Sequence, residues 1–157
     1  MKFADFVCYE ALVPNLKAST REGVIGELVE ALSKAGALGS ATCKELTQAV
    51  IKRENEASTG LGKGVAVPHV KHKSIKKVTA TVGRSSVGVD FSSLDKQPVY
   101  SVILILSPVD NAESHLQAME TVFMHLQRDN FRKFLRQSQT VEQIRDLLKE
   151  ADTNPAL

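Results

Sequence analysis

The segment of this chain best suited to chemistry runs from Arg53 to Lys73, and its focus is His69. Glycines stand at 60, 62 and 64, and a run of small apolar residues, Val65-Ala66-Val67, ends in Pro68 directly before the histidine. Glycine permits positive φ and close backbone approach. Proline fixes φ and removes a donor, so it ends a strand or sits at an edge. A histidine delivered behind such a rigid run has a restrained position, as a nucleophile or acid–base group requires. The glycines fit neither common phosphate motif. Lys63 is followed by Gly64 rather than Ser or Thr, and the third glycine comes two residues after the second, not three. Taken alone they read equally well as a tight turn before a strand.

The other histidines divide by context. His69 and His72 have a metal-like spacing, but no cysteine accompanies them, and His69–Lys77 carries four lysines and no acid. That is a poor field for a cation, so no metal and no cofactor are expected. The lysines themselves (71, 73, 76 and 77) read as a solvated face, a patch for an acidic partner or a nucleic-acid contact. No aromatic residues interleave them, which argues against a single-strand platform. His115 falls in the first turn of a helix, where the dipole favours neutral imidazole, although a surface or core histidine is the plainer alternative. His125 lies on the same helix beside an apolar stripe and reads as structural.

The elements that position these residues are legible from caps and periodicity. Ser19 with Glu22, Thr42 with Glu45, Asp110 with Glu113 and Thr140 with Gln143 form capping boxes that open four helices. The third is expected to bury Leu116, Met119, Phe123 and Leu126. A short helix is expected at Phe131–Gln137. Between the helices lie β segments at Gly64–Val70, Val78–Val82, Val87–Phe91 and Val99–Leu106. The last is apolar nearly throughout, as suits a central strand buried on both faces. Helices before and after a run of strands predict an α/β fold in which helices sandwich a mixed β-sheet.

Composition narrows the function classes. The 157 residues fit one domain, taken as 1–157, with 43% apolar and 24% charged residues, which excludes disorder and collagen. Twenty Lys+Arg against 18 Asp+Glu leave a charge of +2, too small to argue for nucleic acid. Cys8 and Cys43 lie far apart and read as reduced thiols of a cytoplasmic protein. No apolar run approaches the ~18 residues a membrane span needs, and no signal peptide is read at the N-terminus, so no direct membrane insertion is expected.

Arg53-Glu54, then Ser58-Thr59-Gly60-Leu61-Gly62-Lys63-Gly64-Val65-Ala66-Val67-Pro68-His69, then Val102–Leu106, Ser107-Pro108 and His115-Leu116, resemble in this order the enzyme IIA domain of the bacterial phosphoenolpyruvate:sugar phosphotransferase system. The type is the fructose/mannitol one, which includes the nitrogen-regulatory IIA proteins. The resemblance implies that type's α/β sandwich and a phosphocarrier that takes a phosphoryl group from phospho-HPr on Nε2 of His69. It further implies that His115 and Arg53 stabilise the phosphate, and that a IIB domain (through a cysteine) or a regulatory target is the next partner. Val70-Lys71 replaces the Gly-Lys that often follows the Pro-His pair, and valine is the bulkier, stiffer residue.

The chemistry of these roles is sound. Neutral imidazole is a nucleophile at pH 7. Arginine offers forked donors to phosphate, and a second histidine adds a hydrogen bond. Ser58, Thr59, Gly60, Gly62 and Gly64 are candidates for a phosphate-binding loop. Two branches follow: a phosphorylation-dependent regulator, as the leading reading, or a transport subunit that hands phosphate to a IIB cysteine. A protein-binding module without phosphotransfer is the lesser alternative. A concave apolar docking surface around His69 is expected, with Val67, Val70 and Met119 contributing.

Overall fold

The computed structural model describes residues 1–154, 156 and 157. In chain order the elements are α1 (Phe3–Phe6), α2 (Arg21–Lys34), α3 (Cys43–Glu56), β1 (Gly60–Gly62), β2 (Val65–Ala66), β3 (His69–Lys71), β4 (Thr79–Val89), β5 (Val99–Ser107), α4 (Ala112–Leu126), α5 (Asp129–Gln137) and α6 (Val141–Thr153). The fold is the expected α/β sandwich around a mixed sheet.

Strand β5 organises the sheet. Along one edge it pairs in parallel first with β2, at Val65↔Ser101, and then with β3, at His69↔Ile105. These two short strands therefore lie end to end, separated by Val67-Pro68. Proline has no N–H to give the ladder, but its carbonyl accepts the Ile105 N–H at 3.0 Å, so the edge continues through it. Along the other edge β5 pairs antiparallel with β4. The N-terminal segment bridges to β4 at Val7↔Ala80 and Val13↔Gly83, which covers an edge that would otherwise be open.

Alternation along β5 divides the core. Ile103 and Ile105 pack with α1, α4, α5 and α6, whereas Val102, Leu104 and Leu106 pack with α2 and α3. Burial on both faces is why this strand reads as one apolar run.

Three expectations shift. Thr20, not Ser19, caps α2, accepting the Gly23 N–H at 3.1 Å. Asn111, not Asp110, caps α4, accepting the Ser114 N–H at 3.1 Å. Two capping-competent residues stand side by side at each start, and the second has the reach to the third helical amide. Thr140 caps α6 as expected, while the Thr42 hydroxyl donates to the Gly39 carbonyl and caps nothing. The two strands expected at Val78–Val82 and Val87–Phe91 are one strand, β4. Its register breaks between Arg84 and Val89, where Gly88 at φ +88° takes the irregular turn.

The third shift is rotational. Helix α4 buries Ala118, Thr121, Val122, His125 and Leu126; of the expected stripe, Leu126 is buried, Met119 and Phe123 pack half-buried against the same core, and Leu116 is 58% exposed. The buried face is turned by roughly 100° from the expected stripe, at 100° per residue.

Candidate functional site

His69 is the first residue of β3, half-buried, and its position is fixed twice. The backbone is held by β5, and the ring is held by its own chain: Nδ1 lies 2.8 Å from the Val67 carbonyl oxygen. A carbonyl only accepts, so in the neutral ring Nδ1 carries the proton and Nε2 keeps the lone pair. Burial, with the positive charges of Arg53 and Lys71, pushes the His69 pKa below its ordinary value; the Val67 bond and Glu54 partly oppose this.

The rest of the site comes from both sides of the sheet. His115, in the first turn of α4, has its ring centre 5.7 Å from that of His69. Its Nδ1 lies 2.6 Å from the Ser107 hydroxyl, at the end of β5. Burial first, and then the charges of His69 and Lys71, depress its pKa to about 4. Both rings are therefore neutral at pH 7. Arg53, in the last turn of α3, donates from Nη1 to the Ala57 carbonyl at 3.0 Å, and its charge reaches His69.

The loop candidates are differently placed. Thr59 donates its hydroxyl to Glu54 at 2.7 Å, and Ser58 donates its hydroxyl to the Phe91 carbonyl. Both hydroxyl hydrogens are thus engaged within the protein. The glycines form the β1–β2 hairpin: Gly60 pairs with Ala66, and Gly62 and Gly64 take φ +89° and +78° around the turn. The Gly64 carbonyl accepts from Tyr100 and Ser101, whereas His69 pairs with Ile105. Four residues of β5 separate the two, about 13 Å at ~3.3 Å per residue. The turn end of the hairpin is not brought to His69.

Glu54 is the residue whose part the motif reading did not draw out. Its carboxylate is 1% exposed and accepts the Thr59 N–H at 2.6 Å as well as the Thr59 hydroxyl. Its place beside Arg53 was the available signal. Outside the site, the ring nitrogens of His72 meet Ser74 at 2.7 Å and Glu45 at 3.3 Å. His125 is buried between the rings of Phe3 and Phe131, its Nδ1 against the Leu157 carbonyl, in keeping with a structural role. Of the residues expected to form a docking surface, Val67 is fully buried in the core, while Val70 and Met119 are half-buried. Val67 alternates inward beside Pro68 and cannot meet a partner. Among the described residues no helix is long and apolar enough to cross a membrane.

Known proteins resemble this chain over nearly its whole length. The chain is 33% identical over 152 residues to the fructose-specific EIIABC component of Bacillus subtilis, covering 97% of this chain but only 24% of that much longer protein. It is 31% identical over 148 residues to a nitrogen regulatory protein of Bradyrhizobium diazoefficiens, covering 94% of this chain and 95% of the relative. The nitrogen regulatory protein IIA-Ntr of Neisseria meningitidis has the same fold, with a TM-score of 0.83 at 23% identity over 93% of this chain and 98% of that one. Residues 6–151 match the family described as "Phosphoenolpyruvate-dependent sugar phosphotransferase system, EIIA 2", and the chain belongs to that family.

Proposed function

We propose that this chain is a cytoplasmic phosphocarrier in which Nε2 of His69 accepts a phosphoryl group from a phosphorylated HPr-type protein, and that the state of His69 then governs binding to a regulatory target. The observation that carries this reading is the His69 ring tied through Nδ1 to Val67, which leaves Nε2 unprotonated beside His115. As the Nε2–P bond forms, the N–P bond of the donor breaks and the donor imidazole recovers its lone pair. His69 keeps its Nδ1 proton throughout, so the step needs alignment and charge stabilisation rather than a general base. Arg53 supplies positive charge, and when the Ser107 hydroxyl donates to Nδ1, neutral His115 carries its proton on Nε2, available to a phosphoryl oxygen. These supports are few, which suits a carrier that must release what it takes.

Phosphoenolpyruvate, enzyme I and HPr are to be combined with the full chain, and the intact mass followed. A phosphoryl-sized gain that is acid-labile and absent in His69→Ala is expected. Arg53→Gln is expected to slow acceptance roughly 10²-fold, in the range for loss of one charge-stabilising group. No gain in the folded wild type would favour a binding module without phosphotransfer. The similarity to a fructose-specific EIIABC component supports a second reading, transfer onward to a IIB cysteine. Rapid loss of the phosphoryl group to an added IIB domain would favour transport over regulation.

A further inference from the structure

We propose that Glu54 is a positioning residue for His69: acting through Thr59 and Val67, it fixes the tautomer of the ring and thereby keeps Nε2 available to the incoming group. This deepens the reading of His69 as phosphoryl acceptor, on which its functional consequence rests.

Three linked contacts carry it. The Glu54 carboxylate accepts both the N–H and the hydroxyl of Thr59, at 2.6 and 2.7 Å. The Thr59 carbonyl accepts the Val67 N–H at 3.2 Å. The Val67 carbonyl accepts Nδ1–H of His69 at 2.8 Å. Glu54 thus holds the strand that leaves α3, that strand holds Val67, and Val67 holds the ring. The opposite tautomer would set the Nδ1 lone pair against the Val67 carbonyl, two acceptors facing each other, so any slack in Val67 weakens the preference.

The placement of Glu54 is costly enough to need a return. A carboxylate that is 1% exposed loses its hydration. It also sits in the last turn of α3, at the end of the helix where the dipole opposes negative charge. Among the described residues no lysine, arginine or histidine forms a salt bridge with it. Its compensation comes from the two Thr59 donors, and through them it organises the approach to the site. A third group that orients the reacting residue is a general device for activating a nucleophile. Its negative charge also reaches His69, opposing burial and the positive charges of Arg53 and Lys71, with neutral His115 alongside.

The test uses the full chain with Glu54→Gln, Glu54→Asp and Thr59→Val. Imidazole ¹⁵N shifts of unphosphorylated His69 report the tautomer, and acceptance from phospho-HPr reports the consequence. In Glu54→Gln the amide turns an NH₂ toward one Thr59 donor, and in Thr59→Val the hydroxyl is gone, so each variant loses one contact. Expected in both is a several-fold rise in the Nε2–H tautomer and a fall in acceptance of roughly tenfold, with Glu54→Asp retaining more of each than Glu54→Gln. Glu54→Gln alone should also move the acid limb of acceptance to lower pH, because the charge that raised the His69 pKa is gone. An unchanged tautomer ratio in the folded variants overturns the proposal, whatever their stability; if Glu54→Gln does not fold, Thr59→Val decides. A wild type that accepts no phosphoryl group removes the functional reading instead, and the ¹⁵N measurement still decides whether Glu54 orients the ring.

Discussion

At the scale of single residues, folding keeps the two imidazoles of the candidate site neutral near pH 7, because burial makes both poor bases. The unfolded chain binds a proton at His115 near pH 6.5, and the folded chain does so only at about 4. Between those values the unfolded state holds more protons, so the contribution of His115 is fully present above pH 6.5 and falls as pH drops toward 4. His115→Asn should therefore show a shallower loss of stability than wild type between pH 7 and 4, measured by urea midpoints. Equal slopes would mean that the ring is not protected from protonation. His69 has the same sign, so acceptance should persist to lower pH than an ordinary histidine nucleophile would allow. That His69, His115 and Arg53 would lie close together was legible because their types and order are specific. The engagement of Ser58 and Thr59 was not, because a hydroxyl beside a glycine turn reads as a free donor until its acceptors, Phe91 and Glu54, are known. Burial of Glu54 was hidden for a related reason: it follows Leu46 and Val50 at spacings of four on the buried face of α3, but a carboxylate there reads as solvated until its donor, Thr59, is known.

At the scale of elements, existence and type were legible, while phase was not. Helix α4 is apolar on more than one side. Leu116, Met119, Phe123 and Leu126 make one stripe by spacing, and Ala118, Val122 and Leu126 make another. Periodicity establishes an amphipathic helix but does not say which of two apolar stripes meets the sheet. The choice falls to packing against Ile103 and Ile105, which takes the stripe with the smaller Ala118 and Val122. Leu116, one residue after His115, is left at the surface beside the site. Truncations separate the two stripes. Val122→Ala, at a position with no exposure, should cost about 1–3 kcal/mol in chemical denaturation, by analogy with other core truncations. Leu116→Ala should stay within about 0.5 kcal/mol, as surface substitutions do. A reversed order would restore the stripe read from spacing. The fused strand β4 has the same lesson, since residues 83–86 read as a gap between two strands but belong to one strand whose register breaks between Arg84 and Val89, with Gly88 at positive φ.

At the scale of the whole molecule, the site exists only because two helical layers share one strand. Arg53 and Glu54 come from α3, packed on the face of β5 that carries Leu104 and Leu106. His115 comes from α4, packed on the face that carries Ile103 and Ile105. His69 sits on the edge between them, paired with Ile105. Neither layer alone can bring an arginine, a carboxylate and two histidines together, so the complete site needs both layers in place. The two apolar clusters should therefore unfold as one unit, although they lie on opposite faces of the sheet. Leu104→Ala and Ile105→Ala remove fully buried side chains from opposite faces, and each should cost about 2–5 kcal/mol. Native-state hydrogen exchange distinguishes shared from separate loss. With a common strand, each substitution lowers the opening free energy of the most protected amides in α2 and in α6 by the same amount. If Leu104→Ala weakened only α2 and Ile105→Ala only α6, the layers would be separate cooperative units, and the site could lose His115 while retaining Arg53.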